Sequence, residues 1–181
     1  MYEFQNWLIK TLLSVNVVRP FMTSKWGWPI CESLHFLGLS LLIGTIGAFD
    51  LRLLGVGKRI PISALHRLIP WGVAGYALNV ITGSMFLTTE PNQYILNPSF
   101  HLKLLFMTMA GLNILVFYTL YWRRVSLLGP GADTPLPAKA IGGISLFLWT
   151  GIIVFGRLLT FYRPGACGKN ETATFLWTCF K

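Results

Sequence analysis

The chain has 181 residues, of which 54% are apolar and 14% aromatic but only 12% charged, with a formal net charge of +9 and a mean hydropathy of +0.59. Soluble domains carry about 25% charged residues, so this composition describes an integral membrane protein. Its basic residues stand at the ends of apolar runs instead of forming a stripe interleaved with aromatics, which sets nucleic acid aside as a partner and makes the charge a matter of membrane topology.

Residues 1–25 open with MYEFQNWLIKTLLSV, in which Phe4, Trp7, Leu8, Leu12 and Val15 fall at helical spacing with Gln5, Asn6, Lys10 and Ser14 elsewhere. The pattern predicts an amphipathic helix lying in the bilayer interface, and it has neither the basic leader nor the small-residue cleavage site of a secretory signal. Lys25-Trp26-Gly27-Trp28-Pro29 then supplies interfacial tryptophans and a proline suited to a first helical turn.

The first span is expected at about residues 29–50, close to the ~20 residues that cross a hydrocarbon core, with Asp50 and Arg52 as its charged stop. A basic segment follows, with Lys58, Arg59 and Arg67. The second span is expected at about 68–87, where Gly72, Gly75 and Gly83 would let a neighbouring backbone or a flat cofactor approach. Glu90-Pro91-Asn92 has turn chemistry, and Asn97-Pro98 reads as an N-cap with proline at the first helical position. The third span is expected at about 99–122, ending in an aromatic belt and the basic stop Arg123-Arg124. VSLLGPGADTPLPAK is too rich in Gly and Pro for a helix, and a fourth span is expected at about 139–161.

The predicted fold class is therefore all-α, a four-helix transmembrane bundle over residues 26–163 preceded by an interfacial helix and followed by a tail at 164–181. Lys and Arg fill the segments after the first and third spans and are absent between the second and third. By the positive-inside rule this orients both termini to the periplasm of a bacterial inner membrane. Cys31, Cys167 and Cys179 then lie at or beyond the oxidising face, where a Cys167–Cys179 disulfide or two free thiols are both open. Asn170-Glu171-Thr172 matches a glycosylation sequon, a three-residue signal of low specificity.

Ionisable groups inside apolar spans mark candidate sites. Cys31, Glu32 and His35 share roughly one helical face at the front of the first span. Helical rise puts His35 roughly 9 Å below Pro29 and His101 roughly 4–5 Å below Pro98, nearly the same depth. Facing histidines on diagonal helices would hold a single haem b, with Lys103 and Arg157 as partners of its propionates and Glu32 orienting an imidazole or relaying protons from quinol. Two other readings compete. His35, Glu32 and Arg157 could form a structural polar cluster while His101 reaches the interface beside Lys103. Alternatively, Cys31 and His35, with His101 and Met107 or Met109, could handle copper. Asn79 and Asn113 are expected to make interhelical hydrogen bonds, and His66 to be a cytoplasmic end residue. No P-loop, GxSxG, HExxH or CxxCH stands in the sequence, so any enzymatic role reduces to an electron-transfer subunit of an oxidoreductase.

WGWPICESLHFLGLSLLIGTIGAFDLRLLG, LHRLIPWGVAGYALNVITGSMFL, NPSFHLKLLF and LWTGIIVFGRLLTFY together resemble a group of small bacterial four-span inner-membrane proteins, over about residues 26–163. More distantly they are similar to copper-resistance D and cytochrome b561-type bundles, in which histidines on the spans hold haem or copper. The resemblance implies four spans, with Glu32, His35, Arg52, Asn97-Pro98, Lys103 and Gly156-Arg157 as pattern positions and His101 outside the pattern. Three histidines cannot supply the four ligands of a two-haem bundle. Two functional expectations stand together: a haem b subunit passing electrons between quinol and a membrane or periplasmic partner, and a non-catalytic accessory subunit of a larger membrane complex.

Overall fold

Long apolar segments become helices in a membrane because a helix satisfies every internal backbone amide within itself. The computed structural model describes residues 2–14, 17–161, 172–173 and 179–180, in which helices joined by turns and irregular connections are accompanied by one antiparallel pairing of Thr172–Ala173 with Cys179–Phe180. The helices are α1 (Tyr2–Ser14), α2 (Arg19–Met22), α3 (Gly27–Leu53), α4 (Ile62–His66), α5 (Ile69–Thr89), α6 (Pro91–Ile95), α7 (Pro98–Val116), α8 (Trp122–Val125) and α9 (Leu136–Phe161), with a π-helical turn, Phe117–Tyr121, joining α7 to α8.

Three of these are long and apolar enough to cross a membrane: α3, the continuous rod Pro98–Val125, and α9. The fourth expected span, α5, has 21 residues, enough for a crossing by length. Asn97 caps α7 as expected, its side chain accepting from the Ser99 amide at 2.9 Å. The Glu90–Asn92 turn is replaced by the short helix α6, which starts at Pro91. Residues 126–135 are irregular, as their Gly and Pro content predicts.

Packing is decided by small residues. A Cβ on Gly75 would stand 2.6 Å from the Gly38 carbonyl oxygen, and one on Gly38 would stand 2.8 Å from that of Gly75, so α3 and α5 cross backbone to backbone. Gly142 brings α9 against Asp50 and Leu53 of α3, and Gly151 receives the Phe106 ring of α7. The resulting order is α5–α3–α9–α7, while α5 and α7 make no comparable contact with each other. The four long helices form an open arc, not a closed ring.

α1 packs on α5 and α6 and buries Ile9. That packing splits the stripe read from the sequence: Leu8 and Leu12 are half-buried, whereas Phe4 and Trp7 point away and stack with centroids 5.9 Å apart.

At the basic end, the expected charged stop is buried. Arg52 is 1% exposed, and its Nε donates to the Ile60 carbonyl at 2.8 Å while Nη2 donates to those of Lys58 and Ala132, each at 3.2 Å. Gly55 and Gly57, with φ of 99° and 66°, make the tight turn that brings the Lys58 and Ile60 carbonyls back onto the guanidinium. The Gly131 amide also donates to the Lys58 carbonyl, at 2.8 Å, so the two connections meet. Outside the clasp, exposed Asp133 pairs with Lys58 at 3.1 Å and Lys139 at 2.8 Å.

Replacing Arg52 with leucine removes three charge-assisted bonds to the backbone from a buried position and should destabilise the protein by about 2–4 kcal/mol. Thermal unfolding in detergent measures this, and Arg52→Lys should recover only part, since an ammonium lacks the planar fork. The Asp133 carboxyl is held down to about 2 by hydrogen bonds from Lys139 and Lys58. A depressed pKa means the pairing is present above the ordinary carboxylate range and is lost as pH falls from about 4 through 2. A carbon-detected titration of that carboxyl should give a midpoint near 2 and return toward about 4 in the double variant Lys58→Ala, Lys139→Ala.

Candidate functional site

Cys31, His35, Gly38 and Leu42 recur at helical spacing along the face of α3 that meets α5. Opposite Cys31 and His35 stands Thr82, 1% exposed. Its Oγ1 donates to the Leu78 carbonyl at 2.7 Å, as threonines in helices commonly do. Oγ1 also lies 2.7 Å from His35 Nδ1, and with the hydroxyl proton given to Leu78 this contact has Nδ1 donating to Oγ1. Nε2 is then the unprotonated nitrogen, the state in which an imidazole ligates a metal.

The rest of the surroundings hold that ring in place. Phe86 meets His35 edge-on at 5.7 Å and is itself covered by Trp28 at 4.9 Å. Gly83 packs beside the ring, where a Cβ would stand in van der Waals contact with Cε1 at 3.9 Å. Cys31 is buried and its thiol lies 3.7 Å from the Thr82 carbonyl. Glu32, the next residue, is half-buried.

Across the arc, Lys103 of α7 is half-buried, with Nζ 3.6 Å from where a Cβ of Gly156 would lie. Two residues along a helix are about 200° apart, so with Lys103 turned inward His101 turns outward. His101 is indeed exposed, its ring beside Phe100 at 6.4 Å. Arg157 is also exposed and lies over the Phe161 ring at 5.2 Å. Of the expected site residues, Cys31 and His35 thus meet Thr82 of α5 and Lys103 meets Gly156 of α9, while His101 and Arg157 face outward.

No group of three or more His, Cys, Asp or Glu able to hold a metal ion occurs among the described residues. Cys167 lies outside them, as does the side chain of Cys179, so the expected disulfide falls beyond what is described. Asn113 bonds across helices, Nδ2 to the Ile141 carbonyl at 3.1 Å, whereas Asn79 turns back to Gly75 of its own helix at 2.9 Å. His66 stacks on Trp122 at 4.1 Å and meets the Tyr118 hydroxyl at 3.1 Å. Sequence reasoning passed over Thr82 because one threonine in an apolar helix carries no signal of its own. Its spacing from Gly75 and Phe86 on α5 was the available clue.

The chain matches no protein-family model, no curated protein and no solved structure.

Thr82→Val keeps the shape of the side chain and removes the acceptor of the His35 Nδ1 proton. It should cost about 1–2 kcal/mol of stability in detergent, and ring nitrogen shifts should report a redistributed tautomer. Thr82→Ser should retain both.

Proposed function

We propose that this is a bacterial inner-membrane protein in which α3, α5, the Pro98–Val125 rod and α9 all cross the bilayer, both termini are periplasmic and α1 lies at the interface. Three apolar helices and the distribution of Lys and Arg support that placement. Within it, His35 is the attachment point of a single haem b in an electron-transfer subunit served by quinol. One observation carries the reading: Thr82 Oγ1 stands 2.7 Å from His35 Nδ1, which, with the hydroxyl proton given to Leu78, leaves Nε2 free to ligate.

The fit of the other residues to a haem is uneven. Lys103, inward and beside Gly156, is placed to pair with an acidic substituent such as a propionate. His101 and Arg157 do not share that inner face, so a second axial ligand from His101 has no geometric support. When bound, a haem supplies one-electron chemistry. The chain itself orients the ring, keeps Cys31 and Phe86 packed around it, and presents Glu32 half-buried one turn away as a group able to exchange protons. The accessory-subunit reading is favoured by a separate feature, the outward Phe4–Trp7 stack on α1, which offers partner subunits an aromatic surface.

A reduced-minus-oxidised visible spectrum of the purified full chain tests the proposal. A b-type α band that His35→Ala abolishes and His101→Ala leaves in place is the expected result. Loss of the band in both variants would reinstate the two-histidine site, and no band at all would overturn the haem. Copper in the same sample that disappears in Cys31→Ser would favour metal handling instead.

A further inference from the structure

Because α5 and α7 splay apart, the inner side of the arc is a cleft of about 310 Å³, reaching from Leu42 to Leu53 along α3. That volume is at the lower end of the range for small-molecule sites. Its walls are apolar stripes at helical spacing, with Leu42, Ile46 and Phe49 from α3 and Ile141, Ser145 and Trp149 from α9. Val73, 61% exposed, and Tyr118, 37% exposed, stand on the α5 and α7 sides, so the opening faces sideways. The π-helical turn that carries Phe117 and Tyr118 lines the same space, and such turns recur at functional sites.

Two residues of this wall each carry a polar atom that is buried, with almost no accessible surface of its own, and has no partner among the described residues. Asp50 is 4% exposed; Ser145 hydrogen-bonds its carboxyl group, yet Oδ2 has no partner. Trp149 is 7% exposed, and its Nε1–H donates to nothing. A buried acceptor and a buried donor left unmade in an apolar cleft are costly, and both would be answered by one kind of group. The oxygen of a hydroxyl accepts from an indole N–H while its proton goes to a carboxylate.

We infer that the cleft between α5 and α7 is a binding site, entered from the bilayer, for a lipid-soluble alcohol whose hydroxyl bridges Trp149 Nε1 and Asp50 Oδ2 and whose apolar body lies against Leu42, Ile46 and Phe49. The inference rests on the bilayer placement alone and not on a cofactor at His35, which lies fifteen residues, about 22 Å of helix, before Asp50. Quinols and aliphatic lipid alcohols share the required chemistry.

The test uses the full chain in lipid nanodiscs and equilibrium binding of a short-chain quinol, dodecan-1-ol and dodecane. Saturable binding of either alcohol, about tenfold tighter than dodecane, is expected. A tighter quinol identifies the aromatic source and a tighter dodecanol the aliphatic one. Trp149→Phe keeps the ring and deletes only the unpartnered N–H, so it should weaken alcohol binding about tenfold without lowering the melting temperature of the ligand-free protein. Gly111→Leu fills the cleft at a position where a Cβ meets nothing within 4 Å, and should abolish binding in a folded protein. Dodecane binding as tightly as the alcohols, or unchanged affinity in both variants, would overturn the site. Loss of a haem band in His35→Ala with alcohol binding intact would separate this site from the one at His35.

Discussion

A single buried guanidinium holds the basic end of the molecule together. Arg52 reaches three backbone carbonyls from two connections far apart in sequence, Lys58 and Ile60 on one side and Ala132 on the other. Among the described residues no carboxylate pairs with it; carbonyl dipoles carry that role, with Asp133 outside binding the two lysines. The consequence reaches along the helices. By tying residues 58–60 to residue 132, the clasp sets where α9 begins relative to the end of α3, and so places Ser145 beside Asp50.

From that fixed end the helices part according to residue size. Glycines at the α3–α5 and α3–α9 crossings let the backbones touch, and Phe106 over Gly151 joins α7 to α9. Lipid is as apolar as leucine, so such close approach is what holds transmembrane helices together. Where no small residues match, between α5 and α7, the helices do not close and the arc keeps an open side. The polar atoms Asp50 Oδ2 and Trp149 Nε1 sit behind that opening.

The two ends of α3 therefore carry different chemistry. Near the N-terminal end, a threonine orients a histidine and leaves one ring nitrogen available. Toward the C-terminal end, a carboxylate and an indole face an apolar space. Both depend on helices that are neighbours in space only because of small-residue contacts and the Arg52 clasp.

Much of the architecture was legible in the chain itself. Apolar run length and bracketing by Trp, Pro, Lys and Arg located the long helices, and Asn97-Pro98 announced the start of α7, because those signals act within a few residues of one another. Spacing along α3 also identified the face that holds Cys31 and His35. What lay beyond the sequence was which faces meet. His101 and Lys103 are equally polar and only two residues apart, and the contact of α7 with Gly156 selects Lys103 for the interior. Asp50 and Arg52 read as a charged stop, yet both are buried, one behind the α5–α7 cleft and the other among carbonyls of which one, that of Ala132, comes from eighty residues away. Local composition determined the helices and their ends, because backbone satisfaction in an apolar medium is a local requirement. Tertiary packing alone decided the partners of His35, Asp50 and Arg52, because a buried polar group is defined by what the other helices bring to it.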